Sequence, residues 1–198
     1  MADAARKRMT ADEFLQWSLQ QEERYEFVDG EPVLKFPPER PGMMAGATAG
    51  HDQIVVNLIQ ALRKLRGGPC RAKTADQASR MARGNLRLPD VTIDCGPFRP
   101  TSLETSAPTV FFEVLSPSTR SFDLVRKVDE YRRVATLRHF VLLEPDQARA
   151  LLWSRGADGE WSSDPVHGLD AALPLPAVGL TLSMAEVYED VEFEAPTD

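Results

Sequence analysis

Hydrophobic positions along the 198-residue chain recur with two periods, and the order in which those periods alternate predicts the architecture. "MTADEFLQWSLQ" opens with Thr10 as an N-cap and Glu13 three residues on, a capping box ahead of an amphipathic helix reaching about Gln21. "YEFVDGEPVLKF" alternates and turns at Asp29-Gly30, a two-residue hairpin signal. The next stretch, "PPERPGMMAGATAG", is rich in proline and glycine and reads as a loop, the segment expected to be most mobile. A helical period returns from Gly50 and places His51, Val55, Leu58, Leu62 and Leu65 on one face, with Arg63, Lys64 and Arg66 before the terminating Gly67.

Further on, "PCRAKTADQASRMA", "NLRLPDVTIDCG" and "TVFFEVLSPST" read as strands. Thr119 or Ser121 then caps a helix, "FDLVRKVDEYRRVA", whose apolar stripe is Leu124, Val128, Tyr131 and Ala135. Two more strands, "RHFVLLEPD" and "RALLWSRGADGEWSS", meet at Glu144-Pro145-Asp146, and a proline-broken tail ends in a short helical turn. Helix, hairpin, helix, strands, helix, strands is the order of one mixed sheet with helices on its faces. The expectation is a single α/β (α+β) domain over residues 1–198.

Composition adds three constraints. With 42% hydrophobic and 27% charged residues and no long apolar run, the chain reads as a soluble globular protein. The start, "MADAARKRMT", lacks the apolar core of a secretory signal, and Cys70 and Cys95 have no metal-ligand spacing. A cytoplasmic location with reduced thiols is the default expectation. The net charge of -7 argues against a protein that coats nucleic acid non-specifically. The charge is uneven, however: from Arg63 to Arg87 eight basic residues face a single acid, Asp76. Such a stretch is either a phosphate-facing surface or a solvated helix end and hairpin.

The candidate chemistry centres on one anomaly. In "TVFFEVLSPST" a strand puts Glu113 on the same face as Phe111 and Leu115, both of which belong out of water. An unpaired carboxylate there costs several kcal/mol in order of magnitude, so something must compensate it. Asp90, in "LPDVTID", starts a strand 23 residues earlier, the length of one strand, a loop and a return strand. Two carboxylates on neighbouring strands would together suit a hard divalent cation such as Mg²⁺. Otherwise Asp90 caps a turn, and Glu113 is protonated or paired with an arginine.

Lys127 lies on the helix after the Glu113 strand, flanking its apolar stripe between Leu124 and Tyr131. Its ammonium could orient water and offset charge at a phosphate, with Lys73 as the alternate lysine. The plainer reading is a surface pair with Asp123, four residues before it, worth about 0.3 kcal/mol. His51 and Glu26 are auxiliary candidates: a lone histidine at a helix start often only packs, and Glu26 could sit on a solvated strand face beside Asp29 and Glu31.

"RYEFVDGEP", a histidine opening the next helix, "LPDVTID", "FFEVLSPST" and the D-x-x-x-K-x-x-x-Y spacing occur in that order over about residues 9–146. In this the chain resembles the Uma-two-type family of restriction-endonuclease-like proteins, within the PD-(D/E)XK nuclease superfamily. The resemblance implies a restriction-endonuclease-like fold, a central mixed β-sheet flanked by helices, with residues 147–198 as a C-terminal extension. It implies Asp90, Glu113 and the Val114 carbonyl as ligands of Mg²⁺ or Mn²⁺, and Lys127 as the catalytic lysine. The superfamily places that lysine two residues after the acid, where this chain has Leu115, so Lys127 would serve from the helix. "LRHFVLLEP" also departs from the usual aromatic-rich "YW" and "DP". The implied activity is metal-dependent hydrolysis of DNA, for which a homodimer would suit cutting both strands. The alternative is a non-catalytic module that keeps the fold to bind nucleic acid or protein.

Overall fold

The computed structural model describes residues 9–36, 48–115 and 122–193, the side chains of Phe122 and Asp123 excepted. Most of the proline- and glycine-rich loop, the Thr119 and Ser121 caps and the Asp123 side chain therefore lie outside the described residues.

The first helix, α1 (Ala11–Ser18), carries the expected capping box between Thr10 and Glu13 and ends sooner than the pattern suggests. Strands β1 (Tyr25–Val28) and β2 (Glu31–Leu34) form the predicted hairpin. Asp29 and Gly30 both have positive φ, 52° and 90°, the backbone a tight two-residue hairpin needs. Helix α2 (Ala49–Ala61) starts at Thr48, whose side chain accepts from the His51 N–H, and runs into a 3₁₀ turn, Leu62–Leu65. Its buried face is Ile54, Leu58 and Ala61 with His51 and Asn57, so the apolar stripe is rotated from the predicted one: Val55 and Leu65 lie at its margin.

Strands β3 (Arg71–Thr74), β4 (Ser79–Arg80), β5 (Leu86–Arg87), β6 (Val91–Asp94) and β7 (Pro108–Val114) precede helix α3 (Phe122–Arg132). Strands β8 (His139–Leu143), β9 (Arg149–Arg155) and β10 (Trp161–His167) follow it. The predicted last strand is thus two strands folded about Gly156–Gly159, where the Gly156 N–H donates to the Glu160 carbonyl. In α3 the stripe holds for Leu124, Val128 and Tyr131, but the helix ends at Arg132. Val134 is buried in place of the exposed Ala135.

The main sheet has the order β10-β9-β8-β7-β6-β3. Among the described strands of this sheet only β7 and β8 run parallel, and α3 is their crossover. A smaller sheet, β2-β1-β5-β4, holds the N-terminal hairpin. One face of the main sheet packs α2 together with a C-terminal hairpin, β11 (Ala172–Leu175) and β12 (Leu180–Ser183), and the short α4 (Met184–Val187). Leu173, Leu175, Leu182, Met184 and Val187 are wholly buried there, so residues beyond 146 build the core. The other face packs α3 against Phe111, Leu115, Phe140 and Leu142. Glu113 belongs to this second face by alternation, between Phe111 and Leu115.

Cys70 and Cys95 form a disulfide, which corrects the expectation of free, reduced thiols. Cys70 immediately precedes β3 and Cys95 immediately follows β6, next to the Arg71–Asp94 pair of the ladder, a cross-strand closeness that spacing along the chain does not reveal. Among the described residues no helix is long and apolar enough to cross a membrane.

Candidate functional site

Asp90 immediately precedes β6, one step beyond the Val91–Phe112 pair, which brings it beside Glu113 on β7. Three groups hold its carboxylate. Lys35 Nζ lies 2.9 Å from Oδ1, His51 Nε2 lies 3.2 Å from Oδ2, and the Val114 N–H donates to Oδ2 at 2.8 Å. Burial opposes ionisation, but the Lys35 charge, the His51 contact and the Val114 hydrogen bond prevail and hold Asp90 well below the usual carboxylate range.

Glu113 is held differently. The Tyr131 hydroxyl, from α3, donates to Oε1, and Lys127 Nζ stands 3.5 Å from Oε2. Burial raises its pKa; Lys127 and Lys35 pull it down, and Asp90 and Glu26 push it up. The outcome is a raised value. Tyr131 is itself raised well above its ordinary value by burial and by the neighbouring Glu113 charge, so it remains a donor.

Glu26, on β1, is buried, which corrects the reading of a solvated strand face. Arg87 Nη1 lies 2.8 Å from its Oε2, the Leu88 N–H donates to Oε1 at 3.0 Å, and Lys127 Nζ is 3.6 Å from Oε1. Although burial opposes ionisation, Lys127, Lys35, Arg87 and the Leu88 hydrogen bond lower its pKa to about 2. Arg87 Nε also meets Glu130 Oε2 at 2.7 Å, and Arg126 joins Glu130 to Asp29 at the surface. Arg87 is thus the inner member of a chain of alternating charges.

All five candidate side chains, Glu26, His51, Asp90, Glu113 and Lys127, are buried in one cluster. His51, Asp90, Glu113 and Lys127 line a cavity of about 20 Å³ with Lys35, Phe36, Val114, Leu115 and Leu124, room for little more than one water or a bare ion. His51 Nδ1 has no hydrogen-bond partner among the described residues. Lys73 is elsewhere, over the Phe98 ring. Lys35 and Tyr131 are the participants that sequence patterning leaves out. Tyr131 reads as an ordinary core position; Lys35 carries a usable signal, a lone lysine between Leu34 and Phe36 at the end of an apolar strand.

The Uma2 family, described as "Putative restriction endonuclease", matches residues 11–185. The chain belongs to the Uma2 family. Two uncharacterized Synechocystis proteins are similar to it: slr1290 is 27% identical over 189 residues, 94% of each chain, and sll1609 is 25% identical over 186, covering 87% of this chain and 96% of that one. Among solved structures, a "putative nuclease belonging to DUF820" from Anabaena variabilis superposes with a TM-score of 0.68 at 17% identity, over 91% of this chain and 97% of that one. This Uma2 protein accordingly has the restriction-endonuclease-like fold, a central mixed sheet with few helices.

Proposed function

We propose that the chain is a divalent-metal-dependent nuclease hydrolysing phosphodiester bonds of DNA. The observation that supports this most is the pairing of Asp90 and Glu113 on neighbouring strands in one small pocket, with the Lys127 ammonium 3.5 Å from the second carboxylate. Among the described residues no group of three or more His, Cys, Asp or Glu converges as a metal cage. One or two carboxylates are nevertheless the usual protein share for Mg²⁺, which keeps water and substrate phosphate as its other ligands. The donors are hard oxygens and fit Mg²⁺ or Mn²⁺.

Asp90, Glu113 and the Val114 carbonyl would hold that cation, which supplies positive charge at the scissile phosphate. The chain's own groups do the rest. Lys127 can donate to an attacking water and offset charge on the phosphate oxygens as the bond to the leaving oxygen breaks. Tyr131 holds one oxygen of Glu113 and so aims the other into the pocket. Leu115 and Leu124 give the pocket an apolar wall on the Glu113 side, while Phe36, His51 and Asp90 also border a wider open cavity of about 1110 Å³.

One feature favours the second reading, a module that binds without cutting: Lys35 and His51 already compensate Asp90. Cleavage of single- and double-stranded DNA and RNA over a panel of divalent ions separates the two readings. Wild type should cut DNA with Mg²⁺ or Mn²⁺, and Glu113→Gln and Lys127→Ala should each lose at least about 100-fold. A wild type that binds no divalent cation and cuts nothing would leave the binding module.

A further inference from the structure

The face that carries Asp90 and Glu113 continues to the edge of the main sheet. On β6, Val91 and Ile93 point into the α2-side core, so Thr92 and Asp94 share the opposite face with Asp90. The β3–β6 register sets Lys73 opposite Thr92 and Arg71 opposite Asp94, which puts both basic residues on that face. β3 is an edge strand. Thr74, next after Lys73, pairs with Val91, the neighbour of Asp90, so the row of basic residues begins beside the pocket and runs away along the edge.

Phe98 lies over this row. Its ring centroid is 5.0 Å from Lys73 Nζ and 5.3 Å from the Arg71 guanidinium carbon, and the residue is 58% exposed. Exposed Arg99 lines the same shallow depression. The acids nearby are engaged elsewhere: Asp94 accepts from the N–H groups of Gly96, Ser106 and Ala107, Glu104 pairs with Arg80, and Asp76 pairs with Arg24. Among the described residues Arg71, Lys73 and Arg99 have no carboxylate at ion-pair distance. In an acidic chain, three uncompensated cations around an exposed aromatic ring call for an anionic partner with flat, stackable groups.

We infer that the β3 edge and Phe98 form a docking track for single-stranded nucleic acid, with phosphates on Arg71, Lys73 and Arg99 and a base stacked on Phe98. A duplex keeps its bases stacked on one another, so an exposed ring favours a single strand. This deepens the nuclease reading by naming the form of its substrate, and rests on that reading only for what happens in the pocket. Binding itself needs no metal.

Fluorescence anisotropy in EDTA tests it, with a labelled single-stranded DNA of about 20 nucleotides and its duplex as probes. The proteins are wild type, Phe98→Ala, the double variant Arg71→Ser/Lys73→Ser, and Arg149→Ser on β9, four strands away. Melting temperatures check that these surface changes leave the fold intact. Phe98→Ala should weaken single-strand binding about tenfold and duplex binding far less. The double variant should flatten the slope of log affinity against log salt by about 1.4, while Arg149→Ser stays close to wild type. Absence of wild-type binding at low salt, track variants that bind like wild type, or an equal loss in Arg149→Ser would each overturn the track. Cleavage run in parallel keeps the two ideas apart. A wild type that cuts while the track variants bind normally removes the track alone; one that binds through the track but fails to cut with every divalent ion of the panel removes the nuclease reading alone.

Discussion

Glu26 and Glu113 are both buried and both lie within 3.6 Å of the same ammonium, that of Lys127, yet their acidities move in opposite directions. Against its burial Glu26 has Lys127 and Lys35, as Glu113 does, and in addition Arg87 and the Leu88 N–H, and is pulled down to about 2. Glu113 shares Lys127 with Glu26, receives one phenolic hydrogen bond and faces Asp90, so burial prevails and its value rises. The first carboxylate is saturated and fixes the scaffold around Arg87. The second is under-compensated, and a further cation in its pocket would relieve it. Burial of an acid therefore says little by itself; the balance of cations, hydrogen-bond donors and like charges around it sets the direction in which its acidity moves.

The sharpest way to break this comparison is stability. Glu26→Gln leaves Arg87 and Lys127 each short of a buried partner and should cost about 3–5 kcal/mol. Glu113→Gln removes a disfavoured charge and keeps an acceptor for Tyr131. It should melt as high as the metal-free wild type at neutral pH, or higher. Urea denaturation of both variants measures the gap, and equal losses would dissolve the distinction.

Acidity gives the next effect, with opposite signs. The Glu26 value is lowered, so its contribution is present above the ordinary 4.5 and is lost as pH falls from there toward about 2; at about 1.4 kcal/mol per unit that is roughly 3 kcal/mol. The Glu113 value is raised, so the metal-free fold loses stability as pH climbs from 4.5 toward the raised value. Burial raises the Glu113 value, Lys127 and Lys35 pull it down, Asp90 and Glu26 push it up, and the Tyr131 hydroxyl donates to it; the net sign stays upward. Stability measured against pH should lose part of its acid limb in Glu26→Gln, the lowered Asp90 supplying the remainder, and should lose its fall above 4.5 in Glu113→Gln. Added Mg²⁺ sharpens the contrast at neutral pH: a ligand at a hundred times its dissociation constant stabilises by about 2.7 kcal/mol. Wild type should gain this, and Glu113→Gln should gain much less.

How far these differences could be read from the sequence depends on the kind of contact. The Asp29-Gly30 turn, the capping box and the α3 stripe through Tyr131 are local and followed from spacing. Glu113 was legible as an anomaly, because alternation alone places it between Phe111 and Leu115. Lys35 stood out only as a lone lysine between Leu34 and Phe36; its contact with Asp90 joins the N-terminal hairpin to the main sheet, and no periodicity encodes such a meeting. The same holds for Arg87, which reads as one of eight basic residues in a charged run but is among the most deeply buried large side chains. The Cys70–Cys95 bridge likewise depends on strand register. Gly156–Gly159 was missed for the opposite reason: the turn signal is local, but alternation continues across it and masks the break.

The smallest expected effect tests where the saturated network stops. Arg126 reaches Asp29 Oδ2 at 2.7 Å and Glu130 Oε1 at 3.1 Å, and it is partly exposed, while Asp29 is mostly so. Its pKa is raised, first by the hydrogen bond to Asp29, but solvent screens a pair in this position. Glu130 keeps Arg87 Nε at 2.7 Å and the Asn85 amide at 2.8 Å when Arg126 is removed. Arg126→Ala should therefore cost about 0.2–1 kcal/mol, less in high salt, and leave both the acid limb from Glu26 and the metal response of Glu113 unchanged. Chemical denaturation at two salt concentrations reads this directly. A loss of several kcal/mol that persists in salt would mean that the outer and inner arginines act as one cooperative unit, and Glu26 would then owe its low value to the whole network rather than to Arg87 and Lys127 beside it.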